Sequence, residues 1–383
     1  MRVLSILGTR PEAIKMVPVI KQLETGGATS IVCVTAQHRK MLDSVLEFFG
    51  VVPDIDLDLM QQSQTLTSLT ARVLSSVGDV LDEIAPDVIV VQGDTTTAMG
   101  AAMAAFYRQI PVAHVEAGLR SGDLYAPFPE EMNRIVVDLV SKYHFVPTEL
   151  AASVLRRELT DTSSIYITGN TVIDALMMTV QRLNDDVSLR TGIDRQFEMI
   201  DESRRLVLVT GHRRESFGRG FKEICLALKK LSERDDIEIV YPVHLNPNVQ
   251  DPVRSLLSDI PNMHLIEPVD YPSFVRLMQR ADLILSDSGG VQEEAPSLDT
   301  PALVMRTRTE RREAIDAGAI ELVGTEHGFI LQRANAVLDD PELWQRMASA
   351  PNPYGDGRAA ERIVDLLMAD AASMALASES GAN

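Results

Sequence analysis

Carboxylates recur in the stretch HVEAGLRSGDLYAPFPEEMNR, which runs from His114 to Arg134. Glu116 follows the apolar run IPVAHV, and Glu130 and Glu131 stand just ahead of a segment with helical spacing. The stretch contains no cysteine and no histidine pair, so it lacks the ligand spacing of a zinc site. Carboxylates without a metal suit general acid and base catalysis, because burial can raise their pKa towards neutrality. We predict that Glu116 carries protons, whereas Glu130 and Glu131 also fit ordinary acids in the first turn of a helix.

Asp94 is a second candidate for proton transfer, because it follows the strand-like run PDVIVVQG. In open α/β sheets, ligands bind outside the carboxyl ends of the strands, and Asp94 and Glu116 would both lie there. Asp94 fits equally well as the N-cap of the helical segment TTTAMGAAMAAF, so both interpretations stay open.

The clearest ligand-binding pattern is SDSGGVQEEAPS, which runs from Ser286 to Ser297 and places two glycines between a strand and a helix. Glycines there expose backbone N–H groups at the positive end of the helix, where a phosphate can bind. Glu293 or Glu294 in the same turn is placed to accept hydrogen bonds from a ribose. The arginines of RTRTERR favour a diphosphate, although an isolated charge run is more often a solvated surface.

Basic residues follow two other strand-like runs. The segment GTRPEAIK places Arg10 in a turn and Lys15 on the next helix, where both could bind a ligand. The same segment is also typical of a simple tight turn with Pro at the first helical position. In TGHRRESFG, His212 stands beside Arg213 and Arg214. That position favours a role for His212 near phosphate oxygens over a purely structural one.

Other patterns argue against metal and cofactor chemistry. PDIDLDL has the DxD spacing of some metal-dependent sugar transferases, but its acids alternate with apolar residues like the outer face of a strand. GRGFKE lacks the third glycine of a dinucleotide fingerprint, and the chain has no GxSxG elbow. Cys33 and Cys225 lie in apolar or helical stretches without ligand spacing. We therefore expect no metal and no cofactor.

The composition of the chain limits the kinds of partner that it can bind. The chain has 383 residues, of which 45% are hydrophobic, and a formal net charge of -19. Such an acidic chain disfavours nucleic acid and anionic membranes as partners. Its apolar runs are shorter than the roughly 20 residues that span a bilayer, and its N-terminus lacks a signal-peptide layout. We expect a cytoplasmic protein that binds neither nucleic acid nor membrane.

Strands and helices alternate along the chain. MRVLSILGTRPEAIKMVPVIKQLE predicts a strand, a turn and an amphipathic helix, and the same order returns in ATSIVCVTAQHRKMLDSVLEFF, PDVIVVQGDTTTAMGAAMAAFYRQ and IPVAHVEAGLRSG. A polar stretch over 184–205, interpreted as helix ends and loop, precedes a second series of strands: RLVLVTGH, IEIVYPVHL, MHLIEPV, LILSDSGG, PALVMR and IELVG. The pattern predicts an α/β protein whose two doubly wound domains face each other across a cleft.

Taken together, the motifs resemble those of the non-hydrolysing UDP-N-acetylglucosamine 2-epimerases of bacteria. The resemblance runs nearly end to end and rests on GTRPEAIKM, TAQHRKML, GDTTTAM, HVEAGLRSGDLYAPFPEEMNR, TGNTVIDAL, TGHRRESFGRGF, YPVHLNPNV, SDSGGVQEEAPSL and NPYGDG. It implies a homodimer with a glycosyltransferase-B-like fold of two Rossmann-like domains, 1–169 and 170–356, and a helix over about 357–372 that returns to the first domain. The composition of 373–383 predicts a disordered tail.

The resemblance also implies a reaction and its residues. UDP-GlcNAc and UDP-ManNAc would interconvert at C2 without metal or nicotinamide, by elimination of UDP to 2-acetamidoglucal and re-addition. The catalytic positions match Asp94, Glu116, Glu130 and His212. The substrate-binding positions match Arg10, Lys15, Phe274, Ser288, Gly289, Gly290, Glu294 and Arg311. Positions that hold a second, activating UDP-GlcNAc match Gln37, Arg213 and His244.

Three alternatives remain open on the same motifs. A glycosyltransferase of the same fold would need a sugar acceptor, and a hydrolysing epimerase would release ManNAc and UDP. A catalytically silent UDP-sugar sensor could dispense with the three proposed carboxylates. Departures from the family pattern are few: Phe128 stands for a tryptophan, Val269 for a glutamine near uracil and Arg312 for a proline.

Overall fold

The computed structural model describes residues 1–35, 39–61, 64–211, 213 and 216–380. The chain divides into two compact units: unit 1 is Met1–Ala175 with Tyr354–Asn383, and unit 2 is Leu176–Pro353. Each unit contains one parallel sheet with helices in the connections. The predicted α/β class with two doubly wound sheets is confirmed.

Unit 1 is built on seven parallel strands. They are β1 (Arg2–Leu7), β2 (Thr29–Val34), β3 (Ile55–Asp56), β4 (Val88–Gln92), β5 (Val112–Val115), β6 (Tyr143–Val146) and β7 (Ile165–Ile167), in the sheet order β3-β2-β1-β4-β5-β6-β7. The helices are α1 (Arg10–Thr25), α2 (Arg39–Phe49), α3 (Leu66–Ile84), α4 (Thr96–Tyr107), α5 (Glu130–Val140) and α6 (Glu149–Glu158). α7 (Thr171–Asp185) begins in unit 1 and ends in unit 2.

Unit 2 repeats this plan with six parallel strands. They are β8 (Arg205–Thr210), β9 (Ile237–Pro242), β10 (Met263–Ile266), β11 (Leu283–Ser286), β12 (Ala302–Val304) and β13 (Ile320–Leu322), in the order β10-β9-β8-β11-β12-β13. The helices are α8 (Val187–Arg195), α9 (Arg219–Leu231), α10 (Pro247–Leu257), α11 (Tyr271–Arg280), α12 (Gly289–Glu294), α13 (Arg312–Asp316), α14 (His327–Asp339) and α15 (Pro341–Ala348). A turn of 3-10 helix, Ala295–Leu298, follows α12.

Both cores follow from continuous apolar strands. All residues of β4 are buried, as expected where helices cover both faces of a parallel sheet. In unit 1 the core joins strand residues such as Ile6 and Ile89 to Val73 of α3, and in unit 2 it joins Val207 to Phe221 of α9. Among the helices of the described residues, none has both the length and the apolar character needed to cross a bilayer.

Two segments differ from the sequence-based expectations. Within 184–205, interpreted as helix ends and loop, the structure has the helix α8, whose first turn is capped by the Asp186 side chain accepting from the N–H of Leu189. The final helix, α16 (Ala359–Ser380), belongs to unit 1 and continues past 372. The helix continues because residues 371–377 are mainly strong helix formers and the next glycine in the sequence is Gly381.

Candidate active site

The sheet of unit 1 presents three turns at one edge. The strand order reverses at β1, which pairs with both β2 and β4, and ligands bind beside such a switch point at the carboxyl ends of the strands. Arg10 begins α1 directly after the turn that follows β1, the turn after β4 contains Asp94, and the turn after β5 begins with Glu116. Asp94 and Glu116 therefore follow neighbouring strands, as the sequence predicts.

Glu116 is held in a demanding conformation at the end of β5. Its backbone is left-handed, with φ of +66°, and its residue is 8% exposed. The carboxylate oxygen Oε2 lies 2.5 Å from Nζ of Lys15 and also accepts a hydrogen bond from the side-chain amide of Gln92. A non-glycine residue in this backbone region persists only where its surroundings determine it, which is typical of functional sites.

Asp94 is held by two consecutive residues of α5. The side-chain amide of Asn133 donates to the Asp94 backbone carbonyl at 2.9 Å, and the guanidinium of Arg134 pairs with the Asp94 carboxylate. Arg134 also pairs with Glu131 at 2.8 Å. Although burial opposes it, the acids around Arg134 raise its pKa, so the guanidinium stays charged. In this structure Asp94 is an ion-pair partner, while Thr95 rather than Asp94 caps α4.

The two acids at the start of α5 have different environments. Glu131 is 1% exposed and accepts the backbone N–H groups of Ser121 and Gly122 at 2.9 to 3.0 Å. It therefore anchors the loop that follows β5. Glu130, which the sequence resemblance predicts to be catalytic, is only partly buried in the first turn of the same helix.

Glu12 is a buried acid that the sequence did not single out. It is 1% exposed, and its carboxylate accepts from the hydroxyls of Thr9 and Thr95 at 2.7 Å and from the N–H of Gly8 at 3.1 Å. Burial raises the pKa of Glu12 to about 7, although these hydrogen bonds oppose the shift. Because Thr9 caps α1 and Thr95 caps α4, Glu12 ties together the turns that carry Arg10 and Asp94.

We expect Glu12→Gln to alter the pH dependence of stability. The folded state favours protonated Glu12, so the contribution of Glu12 is fully present below its unfolded pKa of 4.5 and is lost as pH rises through about 7. The free energy of unfolding of the wild type, relative to Glu12→Gln, should fall by about 3 kcal/mol over that range. Urea unfolding of both proteins between about pH 5 and pH 8 measures this difference. A constant difference across the range would contradict the raised pKa.

Gly118 lies where the loop after β5 touches α6. Its φ is +83°, and a Cβ added to it would lie 2.6 Å from the carbonyl oxygen of Ala151. Gly122 has a nearly equal φ of +81° but open space around it. Alanine at Gly122 should cost about 1 kcal/mol of backbone strain, and alanine at Gly118 about 2 kcal/mol more because of the clash. Urea unfolding of the two variants checks this, and equal losses would exclude the clash as the cause.

Unit 2 presents a matching edge at its own switch point. β8 pairs with β11, and the hydroxyls of Thr210 and Ser286 at their ends lie 2.6 Å apart. The N–H of Ser288 donates to Ser286 Oγ at 2.9 Å, and the carboxylate of the fully buried Asp287 accepts the N–H of Arg213 at 2.9 Å. Ser288 is the N-cap of α12, but its hydroxyl makes no capping hydrogen bond there. The first N–H groups of α12 are therefore not capped by the Ser288 side chain.

Arg311 lies against this turn. Its Nε donates to the buried Glu293 at 2.8 Å, and it also pairs with Glu310. Its guanidinium packs on the Gly289 backbone so closely that a Cβ there would lie 2.8 Å from Cζ. Burial opposes ionisation of Glu310, yet Arg311 and Arg306 hold its pKa at about 2. Of the arginines in RTRTERR, the structure therefore places Arg311 beside the glycines.

The remaining predicted residues divide between the same two units. Glu294 is buried and accepts the hydroxyl of Tyr271 at 2.8 Å, and Phe274 is partly buried on α11. His244 follows β9 and is exposed, with its Nδ1 accepting the N–H of Asn246 at 3.1 Å. Gln37 and His212 lie outside the described residues. The structure therefore brings Lys15 to Glu116 and places Arg10 at the start of α1. It brings Ser288, Gly289, Gly290 and Arg311 together in unit 2.

Sequence reasoning missed three side chains of the unit 1 edge: Gln92, Arg134 and Glu12. Arg134 closes the quoted stretch, and its spacing of three residues from Glu131 on a helix is a usable signal, whereas the other two have no local signature. Within the described residues, one set of side chains could hold a cation, namely Glu223, Glu326 and His327, which lie in unit 2. Glu326 is the N-cap of α14, a structural role that accounts for its position.

Known proteins resemble this chain over nearly its whole length. Residues 21–368 match the family described as UDP-N-acetylglucosamine 2-epimerase. The chain is 52% identical over 369 residues to the UDP-N-acetylglucosamine 2-epimerase of Escherichia coli (strain K12), covering 96% of this chain and 98% of that protein. It is 46% identical over 373 residues to the Campylobacter jejuni protein of the same name, covering 96% and 97%.

Solved structures are similar over the same span. The Neisseria meningitidis UDP-GlcNAc 2-epimerase bound to UDP-GlcNAc has a TM-score of 0.91 at 46% identity, covering 96% of this chain and 100% of that one. The Methanocaldococcus jannaschii enzyme with UDP-GlcNAc and UDP has a TM-score of 0.81 at 34% identity, covering 96% and 99%. MurG of Acinetobacter baumannii, with a TM-score of 0.58 at 16% identity and coverage of 96% and 99%, shares only the glycosyltransferase-B-like fold. The chain therefore belongs to the UDP-N-acetylglucosamine 2-epimerase family.

Proposed function

We propose that this protein interconverts UDP-GlcNAc and UDP-ManNAc by reversible inversion at C2, without hydrolysis, metal or nicotinamide. The observation that carries the proposal is the position of Asp94 and Glu116. These two acids follow adjacent strands, β4 and β5, at the edge of the unit 1 sheet where ligands are expected to bind. The chain also belongs to the epimerase family. Each is held by a cation, Arg134 and Lys15 respectively. A protein that only sensed UDP-sugars would have no use for carboxylates held in this way, and Glu116 keeps a strained backbone in addition.

The chemistry of the sugar explains why carboxylates are needed. The C2 hydrogen has no neighbouring carbonyl to make it acidic, so its direct removal as a free carbanion is unfavourable. In the proposed route the C1–O bond to UDP breaks while a carboxylate takes the C2 proton, which leaves 2-acetamidoglucal, UDP and a carboxylic acid. UDP then adds back to C1 as a carboxylic acid protonates C2 from the opposite face. Asp94, Glu116 and Glu130 are the proposed proton carriers, with His212 as the fourth proposed catalytic residue.

Unit 2 is proposed to hold the nucleotide. The turn of Ser288, Gly289 and Gly290 offers backbone N–H groups to a diphosphate, and Arg311 adds a guanidinium. The carboxylate of Glu294 would accept hydrogen bonds from the ribose hydroxyls, and Phe274 would lie beside the base. Two of the structural relatives were solved with UDP-GlcNAc, which supports this assignment. Arg10 and Lys15 of unit 1 are proposed as further substrate-binding cations.

The resemblance supports two further proposals. Gln37, Arg213 and His244 would hold a second UDP-GlcNAc as an activator, and the protein would work in the cytoplasm as a homodimer. Activation predicts an initial lag in the conversion of UDP-ManNAc that a trace of UDP-GlcNAc removes. A linear time course without UDP-GlcNAc would contradict the activating site.

Proton NMR of UDP-GlcNAc incubated with the pure protein in D2O tests the function. Appearance of UDP-ManNAc with deuterium at C2 is the expected result. Free UDP with ManNAc would instead identify a hydrolysing epimerase. An unchanged spectrum would overturn epimerisation and leave a transferase that lacks its acceptor or a UDP-sugar sensor.

A further inference from the structure

A buried group of charged side chains lies behind the carboxylate edge of unit 1. His114 of β5 is fully buried, and Asp138 of α5 is 1% exposed. Nδ1 of His114 lies 2.6 Å from Asp138 Oδ1, and Nε2 lies 2.8 Å from the carbonyl oxygen of Gly93. The other carboxylate oxygen of Asp138 accepts the N–H of Gly118 at 3.3 Å and a guanidinium N–H of Arg120 at 2.7 Å.

The partners of the His114 ring determine its orientation. A backbone carbonyl can only accept, so Nε2 donates to Gly93. Burial alone would raise the pKa of Asp138, but His114 and Arg120 lower it overall. The ring is therefore held in two directions, by the Gly93 carbonyl at Nε2 and by the Asp138 carboxyl group at Nδ1.

These two directions lead to the two turns of the proposed active site. Gly93 directly precedes Asp94, and Gly118 follows Glu116 by two positions. Both turns have left-handed backbone, with φ of +69° at Gly93, +66° at Glu116 and +83° at Gly118. Turns in such conformations are held by what surrounds them, and here one hydrogen-bonded pair, His114 and Asp138, contacts both.

We infer that His114, paired with Asp138, is a positioning residue that sets the direction of Asp94 and Glu116 for proton transfer. This inference rests on the proposed epimerisation. His114 fixes the carbonyl ahead of Asp94, while Asp138 fixes the N–H that follows Glu116. A displacement of about 1 Å at a reacting group costs up to about 100-fold in rate, so small movements of these turns matter.

A purely stabilising role explains the group less well. Buried ion pairs contribute little net stability, because desolvation offsets their attraction, whereas an apolar residue would fill the same space. Among the described residues, Asp138 of α5 bonds the His114 ring and His144 of β6 interacts with it electrostatically. Arg120, in the loop between β5 and α5, pairs with the same Asp138 carboxylate. Arg120 also pairs with Glu158 of α6, at 2.7 Å.

His144 provides a matched control. It lies directly opposite His114 in the β5–β6 register and is 3% exposed. Its Nε2 bonds the backbone carbonyl of Asp138 at 2.8 Å, so it contacts the same helix but neither turn. Both histidines are buried, and the bond to the Gly93 carbonyl is made by His114.

The test compares His114→Gln with His144→Gln in the full-length protein, using UDP-GlcNAc as substrate. We expect His114→Gln to lower kcat at least about tenfold with KM and UDP affinity nearly unchanged, because only the proton-transfer geometry is lost. His144→Gln should keep kcat within about twofold. Asp138→Asn should behave like His114→Gln, and the two losses should not add in the double variant. Equal kcat for the two histidine variants would overturn the positioning role.

Nitrogen-15 NMR of the wild type, labelled at its histidines, remains decisive if His114→Gln does not fold. Nε2 of His114 should carry a proton that exchanges slowly with water, because this buried nitrogen donates to the Gly93 carbonyl, and an Nε2 without a proton would overturn the inference. This measurement does not depend on turnover. A wild type that fails to epimerise would refute the proposed function. An active wild type whose His114→Gln and His144→Gln variants have equal kcat would refute only the positioning role.

Discussion

Asn in place of Asp94, or Gln in place of Glu116, is expected to reduce epimerisation at least about 1000-fold while UDP binding stays within a few-fold of the wild type. Each substitution keeps the shape of the side chain and removes its ability to accept a proton. The amide oxygens can still face Arg134 and Lys15, so the fold of unit 1 should survive. UDP affinity should be largely spared, because the proposed diphosphate turn and Arg311 belong to unit 2 and both substitutions keep Arg10 and Lys15 in place.

The measurement is the rate of UDP-ManNAc formation by NMR, with UDP affinity from calorimetry on the same samples. Asp123→Asn is the control, since Asp123 is an exposed acid in the loop after β5, and it should leave turnover unchanged. Turnover at the wild-type rate in either active-site variant would remove that residue from the mechanism. C2 deuterium exchange, measured separately from UDP-GlcNAc and UDP-ManNAc, then assigns a carboxylate to each face of the sugar.

Lysine in place of Arg311 is expected to weaken UDP binding about 100-fold. The guanidinium of Arg311 pairs with Glu293 and Glu310 while it lies against Gly289. An ammonium is a point charge on a flexible stem, so it cannot keep these pairs and also bind a diphosphate in two directions. The loss corresponds to about 2.7 kcal/mol, within the range of charge-assisted hydrogen bonds.

Arg308→Lys is the matched control, because Arg308 belongs to the same basic run but is exposed. It should bind UDP like the wild type. Calorimetric titration with UDP, with circular dichroism to verify folding, distinguishes the variants. If Arg311→Lys and Arg308→Lys bind UDP equally well, the diphosphate is not held by Arg311.

The location of the candidate site could be predicted from sequence to a large extent. Apolar runs that end in glycine or a polar residue predict buried parallel strands, and the carboxyl ends of such strands meet at one edge. Asp94, Glu116 and Ser288 were placed at strand ends on this basis, and each follows a strand in the structure. The roles of these residues stay predictions until the variants are measured.

The pairing of side chains could not be predicted in this way. Lys15 and Glu116 are separated by 101 positions, and no local pattern states that they lie 2.5 Å apart. The pattern of polar and apolar residues likewise does not distinguish Glu130 from Glu131, although only Glu131 is buried, where it anchors a loop. His114, which the sequence left without a role, gains its partners only when α5 packs beside β5.

The class of fold, the order of strands and helices along the chain, and the side chains that follow each strand can all be predicted from the amino-acid sequence. These properties depend on hydrophobic periodicity and on backbone preferences, which act over a few residues. The burial of particular acids, the cations that pair with them and the groups that hold each turn become visible in the folded structure alone. Such properties depend on distances between elements that are remote in the chain, and on desolvation, which exists only once the core has formed.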